Sequence, residues 1–329
     1  MTDREQVPII LVAGPTASGK SALALHLAEE FGGTIINADS MQVYRDLAVL
    51  TARPGPAEEA RAPHRLYGVV DAAERCSAGR WRVLALAEIA AARAAGTVPI
   101  LVGGTGLYLD ALVHGLAEVP PVPAARRAEA VALHARLGGA GFRARLAEID
   151  PAGAARLAPG DTQRLIRAYE VAAATGEPLA AWQRRQGPPP DLDVAAVLLL
   201  PPRPQLYAAC DARFSAMLEG GAAAEVQALL DRRLAAYLPA MKAVGVRELA
   251  LWLAGKLSRE QAAAAAQQTT RRYAKRQYTW LRHRLPETDH LRKLAIEEKF
   301  SERLLPDIFS FIRRSLLTET NRLSSLTSS

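Results

Sequence analysis

The sequence predicts an α/β fold, a doubly wound parallel sheet with a helical insertion domain. Three observations predict it. Apolar runs at residues 7–13, 34–38, 66–70 and 98–102 are interspersed with stretches of high helix propensity, the pattern of strands joined by crossover helices. Between residues 120 and 190 the composition turns to Ala and Arg without a strand-like run, ten Arg standing against six Asp or Glu. An apolar run at residues 194–200 then returns the chain to the sheet.

The first strand leads into Gly14-Pro15-Thr16-Ala17-Ser18-Gly19-Lys20-Ser21, and a helix-forming stretch follows to Phe31, where Gly32-Gly33 stops it. Strand, glycine-rich loop and helix start come in the order of a phosphate-binding loop, GxxxxGK[ST]. Loop amides and the helix N-terminus point at an anion, and Lys20 adds a full positive charge. The Ser21 hydroxyl is placed to bind Mg²⁺ held against the phosphates. A P-loop NTPase-like sheet is therefore expected.

The second strand ends at Asp39-Ser40-Met41-Gln42-Val43-Tyr44. In a parallel sheet the carboxyl ends of neighbouring strands converge on one crevice, which puts Asp39 beside the loop's ligand. From position alone it is a general base, a metal partner, or an ordinary helix cap or Asx turn. Arg53, in Thr51-Ala52-Arg53-Pro54, is either a mobile cation or a solvated loop residue. A helix over residues 80–95 closes at Gly96. The next strand ends in Val102-Gly103-Gly104-Thr105-Gly106, whose glycines admit a ligand closely or merely turn strand into helix. Thr105 is expected to face the same crevice.

The insertion is bounded by Pro120-Pro121-Val122-Pro123 and Gly187-Pro188-Pro189-Pro190. On one of its helices Gln163, Arg164 and Arg167 share a face, a pairing of types that suits base edges and phosphates or simply solvates the helix. Helices follow at residues 204–220 and 222–234. The capping box Ser258-Arg259-Glu260-Gln261 opens a long one that Pro286 stops. Its stretch from Arg271 to Arg284 holds six Lys or Arg, no acid and three aromatics, a density that points to phosphate contact. Residues 286–329 read as one amphipathic helix near 305–317 with a polar end and no assignable role. The expected divisions are thus 1–119, 120–192, 193–285 and 286–329.

Hydrophobic content of 50% and charged content of 23% are those of a soluble globular protein. No run of eighteen apolar residues occurs, and Met1-Thr2-Asp3-Arg4-Glu5 lacks a signal-peptide pattern, so a cytoplasmic location is expected. Cys76 and Cys210 stand alone, and the six His lack metal-ligand spacing. A net charge of +7 with a pI near 9.6 suits a polyanionic partner.

Together these stretches resemble the tRNA dimethylallyltransferases, also called isopentenyl transferases. The resemblance rests on GPTASGKS at 14–21, DSMQVY at 39–44, TARP at 51–54 and the PHRLYGVVD stretch ending at Asp71. It continues in LVGGTGLYLDAL at 101–112, DTQRLIRAYEV at 161–171 and ARFSAMLEGG at 212–221. PAMKAVGVRE at 239–248 and TRRYAKRQYTWLR at 270–282 complete it. Leu50, where a glycine is common, and Val246, where an aromatic is frequent, depart from the pattern. The residues after Leu285 carry none of it.

The resemblance implies transfer of a dimethylallyl group from its diphosphate to the exocyclic amine of the adenosine 3′ of the anticodon, in tRNAs reading codons that begin with U. It implies Mg²⁺ as cofactor, tRNA and dimethylallyl diphosphate as partners, and a monomer by default. Asp39 would be the base, and Lys20, Thr16 and Arg213 would act on the diphosphate held by the loop. Contacts with tRNA would come from Asp39, Ser40, Met41, Gln42, Thr105 and Arg127, and from Gln163, Arg164, Leu165, Ile166 and Arg167. Arg271, Arg272, Lys275 and Arg276 would add phosphate contacts. The competing enzyme class is a small-molecule kinase using the same loop; it leaves the basic helix and the insertion without purpose. A third possibility, an ATP-driven RNA-binding module, lacks a strand ending in an acid that could position a hydrolytic water.

Overall fold

The computed structural model describes residues 8–185, 191–285, 287–288 and 290–326, with side chains as far as residue 316. Val7, the joint at 187–190 and Pro286, all used above, lie outside the described residues. The chain falls into two compact units, one of Met1–Ala111 with Asp191–Ser329 and the other of Leu112–Pro190.

In chain order the first unit begins with β1 (Ile9–Ala13), α1 (Lys20–Phe31), β2 (Gly33–Asn37), α2 (Pro56–Glu59) and β3 (His64–Arg65). It goes on through α3 (Ala78–Ala94) and β4 (Val98–Gly103), and α4 (Gly106–Val113) runs across the boundary. The second unit contains α5 (Ala124–Ala147), α6 (Pro151–Arg156), α7 (Thr162–Thr175) and α8 (Leu179–Arg184). The first unit resumes with β5 (Val194–Leu199), α9 (Arg203–Glu219), α10 (Ala222–Asp231) and α11 (Val246–Leu253). It ends with α12 (Arg259–Arg284), β6 (Leu291–Ile296) and α13 (Leu305–Leu326).

All strand pairs are parallel, in the order β3-β2-β4-β1-β5-β6. The connection after β1 leads to β2 on one side of the sheet, and the connection after β4 leads to β5 on the other. β1 and β4 are neighbours whose connections diverge, so a crevice opens at their carboxyl ends. Below it, Ile10, Val12, Ile100 and Val197 of the sheet pack with Leu23 and Leu27 of α1. β1 and β5 are buried on both faces, which is why they read as unbroken apolar runs. At the start of α12, Ser258 and Gln261 form the expected capping box.

One expectation is corrected. The third strand is the two residues His64–Arg65 rather than 66–70, because Leu66 adopts a left-handed backbone (φ 64°) that turns the chain out of the sheet. Val70 keeps only an isolated bridge to Tyr44. The C-terminal residues also belong to the fold: β6 pairs with β5 as an edge strand, and Ile308 and Ile312 of α13 are fully buried in the core that holds α1.

In the second unit, α5 bends at Gly138, whose φ of 66° breaks the helical path. Ala130, Phe142, Leu146, Leu165, Ile166 and Ala168 form its core. Asp150 and Asp161 cap α6 and α7 with their carboxylates.

Candidate active site

The phosphate-binding loop joins β1 to α1 as its sequence dictates. Gly19 stands at the helix N-cap with φ of 92°, a conformation that favours glycine. Lys20 follows and is buried, its Nζ donating to the Pro15 carbonyl at 3.3 Å. Burial, reinforced by the neighbouring Arg213 guanidinium, lowers the Lys20 ammonium to about 8 against the partial support of Asp39. Burial also pulls Arg213 downward. Arg213 Nη2 donates to the Thr51 carbonyl at 2.9 Å, while its buried Nε has no partner. The buried Ser18 hydroxyl is likewise unpartnered. Two interacting cations and two orphaned polar atoms around one loop form a receptor for a multivalent anion.

A cavity of about 260 Å³ opens beside this cluster. Thr16, Asp39, Ser40, Arg213, Tyr273 and Arg276 give its polar wall, and Leu50, Phe214, Met217 and Val244 part of its apolar wall. Met41 and Cys210 also line it, and burial pushes the Cys210 thiol up to about 11. A carboxylate, two arginines and an apolar wall in one cleft can hold a short hydrocarbon by its diphosphate and take a proton from a nucleophile.

Asp39 owes its position to Asn37, which is fully buried at the end of β2. Asn37 Oδ1 accepts from the Asp39 amide at 2.8 Å, and its Nδ2 donates to the carbonyls of Asp39 and Leu66 at 3.0 and 3.1 Å. Trp81 Nε1 donates to the Asn37 carbonyl at 2.8 Å, and its ring stacks on Tyr108 at 4.4 Å. Asp39 itself accepts from the Met41 amide at 2.9 Å. Thr105 Oγ1 accepts from the Ser40 amide at 2.9 Å and bonds the Ser40 hydroxyl at 3.3 Å, tying the ends of β2 and β4 together. The loop over residues 48–50 is held from α10, where Glu225 accepts from three successive amides at 2.6, 2.7 and 2.9 Å.

Other sequence candidates stand elsewhere. Gln42 is buried and donates to the carbonyls of Thr51 and Ala52, so it braces this loop instead of facing a ligand. Arg53 packs against Gly68 and reaches the carbonyls of Tyr44 and Arg45, which removes the mobile cation. Ser21 borders a smaller cavity of about 30 Å³ with His64 and Tyr67. Arg271 is not a free cation: it grips both oxygens of Asp211 on α9 at 2.6 and 2.7 Å. Arg272 and Lys275 are exposed and line a basic surface recess with Thr279, Trp280 and Arg284, and the exposed Arg276 borders both this recess and the cavity of Asp39.

Within the second unit, Leu165 and Ile166 are core residues, so a contact of their side chains with RNA is overturned by burial. Gln163 and Arg164 are exposed, as the shared face requires. Arg127 and Arg167 both pair with the buried carboxylate of Glu170, at 2.8 and 2.7 Å.

Sequence reasoning missed Asn37, Gln277 and Glu225. A polar residue inside an apolar strand was the available signal for Asn37, and one uncharged amide amid cations was that for Gln277. Nothing local marks Glu225, whose partners lie about 175 residues away.

A family model described as IPP transferase matches residues 42–284, and another described as isopentenyl transferase matches residues 7–74. The chain belongs to the IPP transferase family. Within it, the chain is 61% identical over 280 residues to the tRNA dimethylallyltransferase of Rhodospirillum centenum, covering 84% of this chain and 89% of that protein. With the tRNA dimethylallyltransferase of Rhodospirillum rubrum it is 54% identical over 313 residues, covering 94% and 96%. Among solved structures it is similar to the tRNA isopentenylpyrophosphate transferase of Bacillus halodurans, with a TM-score of 0.68, 29% identity and coverage of 96% and 99%. A eukaryotic dimethylallyltransferase solved acting on tRNA gives a TM-score of 0.73 at 26% identity, covering 92% of this chain and 79% of that one.

Proposed function

We propose that this family member transfers the dimethylallyl group from dimethylallyl diphosphate to the exocyclic amine of the tRNA adenosine 3′ of the anticodon, in tRNAs reading codons that begin with U. The observation that carries this is the cleft in which Arg213, with the buried Lys20 close enough to feel its charge, meets the carboxylate of Asp39 and an apolar wall. A small-molecule kinase would leave the exposed basic face of α12 without purpose.

Loop amides, Lys20, Arg213 and the Thr16 hydroxyl bind the diphosphate, and the prenyl chain lies along Phe214, Met217 and Val244. The adenosine cannot react while stacked in the anticodon loop, so it flips into the cleft. Its amine forms a bond to the first prenyl carbon as the carbon–oxygen bond breaks, the bonding pair leaving with diphosphate. Lys20 and Arg213 stabilise the charge that develops there. Asp39 takes the amine proton, a role worth typically about 10²–10⁴-fold. Met41 and Ser40 flank the base, with Thr105 fixing Ser40.

The Ser21 hydroxyl, which follows Lys20 and borders the smaller cavity, would be this chain's own ligand for a divalent cation, Mg²⁺ by its hardness. No group of three or more His, Cys, Asp or Glu able to hold a metal occurs among the described residues. When bound it supplies neutralisation of the leaving group's charge. The exposed Arg272, Lys275 and Arg276 bind the phosphates of the anticodon stem-loop, and Gln163, Arg164 and Arg127 add contacts from the insertion. Among the described residues no helix is long and apolar enough to cross a membrane. We place the reaction in the cytoplasm, catalysed by a monomer.

Incubation with labelled dimethylallyl diphosphate, labelled ATP and unmodified tRNA tests the assignment. Prenyl label entering tRNA supports it; transfer or hydrolysis of ATP alone contradicts it.

A further inference from the structure

On α12, Tyr273, Gln277 and Trp280 follow at i, i+4 and i+7 and so share one face. Tyr273 lines the cavity of Asp39 and Arg213, and Trp280 lies against Gly106, where an added Cβ would come within 2.4 Å of its ring. Between them the Gln277 side chain is 5% exposed and reaches the phosphate-binding loop. Its Oε1 accepts from the Thr16 amide at 2.9 Å, and its Nε2 donates to the Gly104 carbonyl at 2.9 Å. The approach is close enough that a Cβ on Gly104 would meet both Gln277 Nε2 and the Gly14 carbonyl at 2.5 Å. Thr16 is held from its other side too, its carbonyl facing the Cys210 thiol at 3.8 Å. One buried amide therefore clasps the turns after β1 and β4, the paired strands whose diverging connections open the crevice.

We propose that Gln277 is a positioning residue for the prenyl donor: it fixes the Thr16 backbone so that the Thr16 hydroxyl faces the diphosphate, and it does so from the helix that carries the exposed cations. The proposal rests on the loop's binding the donor diphosphate. The helix that bears the RNA-facing charges and the loop that bears the leaving group are thereby registered through one side chain. A contact of this kind acts on donor affinity and turnover while leaving RNA affinity alone, since Arg272, Lys275 and Arg276 stay on the exposed surface.

The test compares Gln277→Leu, which removes both hydrogen bonds, with Gln277→Glu, which keeps an acceptor for the Thr16 amide but sets an oxygen against the Gly104 carbonyl. Steady-state kinetics with dimethylallyl diphosphate and tRNA are read beside tRNA binding and thermal melting. Gln277→Leu is expected to raise KM for the donor about tenfold and to lower kcat, with tRNA Kd within about twofold of the parent. In Gln277→Glu the donor KM is expected to recover as pH falls, because the protonated carboxyl regains a donor for the Gly104 carbonyl. The parent's donor KM is read at the same pH values, below about pH 7 where Lys20 stays charged, and recovery in Gln277→Glu relative to the parent with an unchanged melting temperature separates positioning from a purely structural amide. Should the Leu variant fail to fold, the pH profile of the Glu variant decides. Unchanged donor KM and kcat in a folded variant, or a loss confined to tRNA Kd, overturns the proposal. Lys20→Met serves as the control: if it too leaves donor binding unchanged, the loop does not hold the diphosphate at all. If it abolishes donor binding while the Gln277 variants do not, only the role of Gln277 fails.

Discussion

Donor binding should depend on pH through Lys20. Burial and the Arg213 charge bring this ammonium from 10.5 to about 8, a cost of about 3 kcal/mol at about 1.4 kcal/mol per pH unit. In the unfolded chain the lysine keeps its ordinary value. Between about pH 8 and pH 10.5 the unfolded state therefore binds a proton that the free folded protein lacks, and stability without ligand rises with pH across that window. Below it the penalty is fully present. A bound diphosphate supplies the missing negative charge and restores the proton, so binding above about pH 8 takes up a proton and weakens as pH rises. Raising pH from about 7 to about 9 should weaken dimethylallyl diphosphate binding about tenfold, since most free Lys20 is neutral at the higher value. Isothermal titration in buffers of differing ionisation enthalpy reads both the affinity and the proton uptake. Lys20→Met should bind weakly with a flat profile. An affinity unchanged over this range in the parent protein, or an equal fall in Lys20→Met, would refute the reasoning.

Asp39→Asn keeps an acceptor for the Met41 amide but not the base, so kcat should fall by about 10²–10⁴ with tRNA Kd unchanged, measured by single-turnover transfer and filter binding. Replacing Arg272, Lys275 and Arg276 together with Ala should lower the slope of log K against log salt by about 2, whereas Arg271→Ala, which breaks a pair with Asp211, should act mainly on thermal stability. Ile308→Ala should cost about 2–5 kcal/mol in denaturant unfolding, since the side chain is wholly buried against the sheet and α1; a loss below about 0.5 kcal/mol would mean that α13 does not belong to the core.

The strand, loop and helix around Lys20 were legible in the sequence because their signals are local: an apolar run, glycines at fixed offsets and a helix-forming stretch. The third strand was not, because Leu66 takes a left-handed backbone that no propensity announces. β6 escaped notice because an edge strand is only partly buried, and Arg292 and Lys293 break its apolar run. Around the site, Asp39 was placed by its position at the end of the second strand and Arg213 by motif resemblance, and the structure brings them to one cavity. Gln42 and Leu165 came from the same motifs yet face inward, since a motif names neighbours in sequence and not which side chain reaches a ligand. The pairing of Arg271 with Asp211 and the clasp of Gln277 on Thr16 join distant segments. Nothing short of the fold could have shown them.

In the proposed reaction one cleft brings the leaving diphosphate and the accepting amine together. Nucleoside mass spectrometry of unmodified tRNA incubated with the protein and dimethylallyl diphosphate tests it most directly. The expected product is one dimethylallyl group on the exocyclic nitrogen of the adenosine 3′ of the anticodon, with diphosphate released intact and the yield abolished in Lys20→Met. Unmodified tRNA, or a prenyl group at another nucleoside, would contradict it.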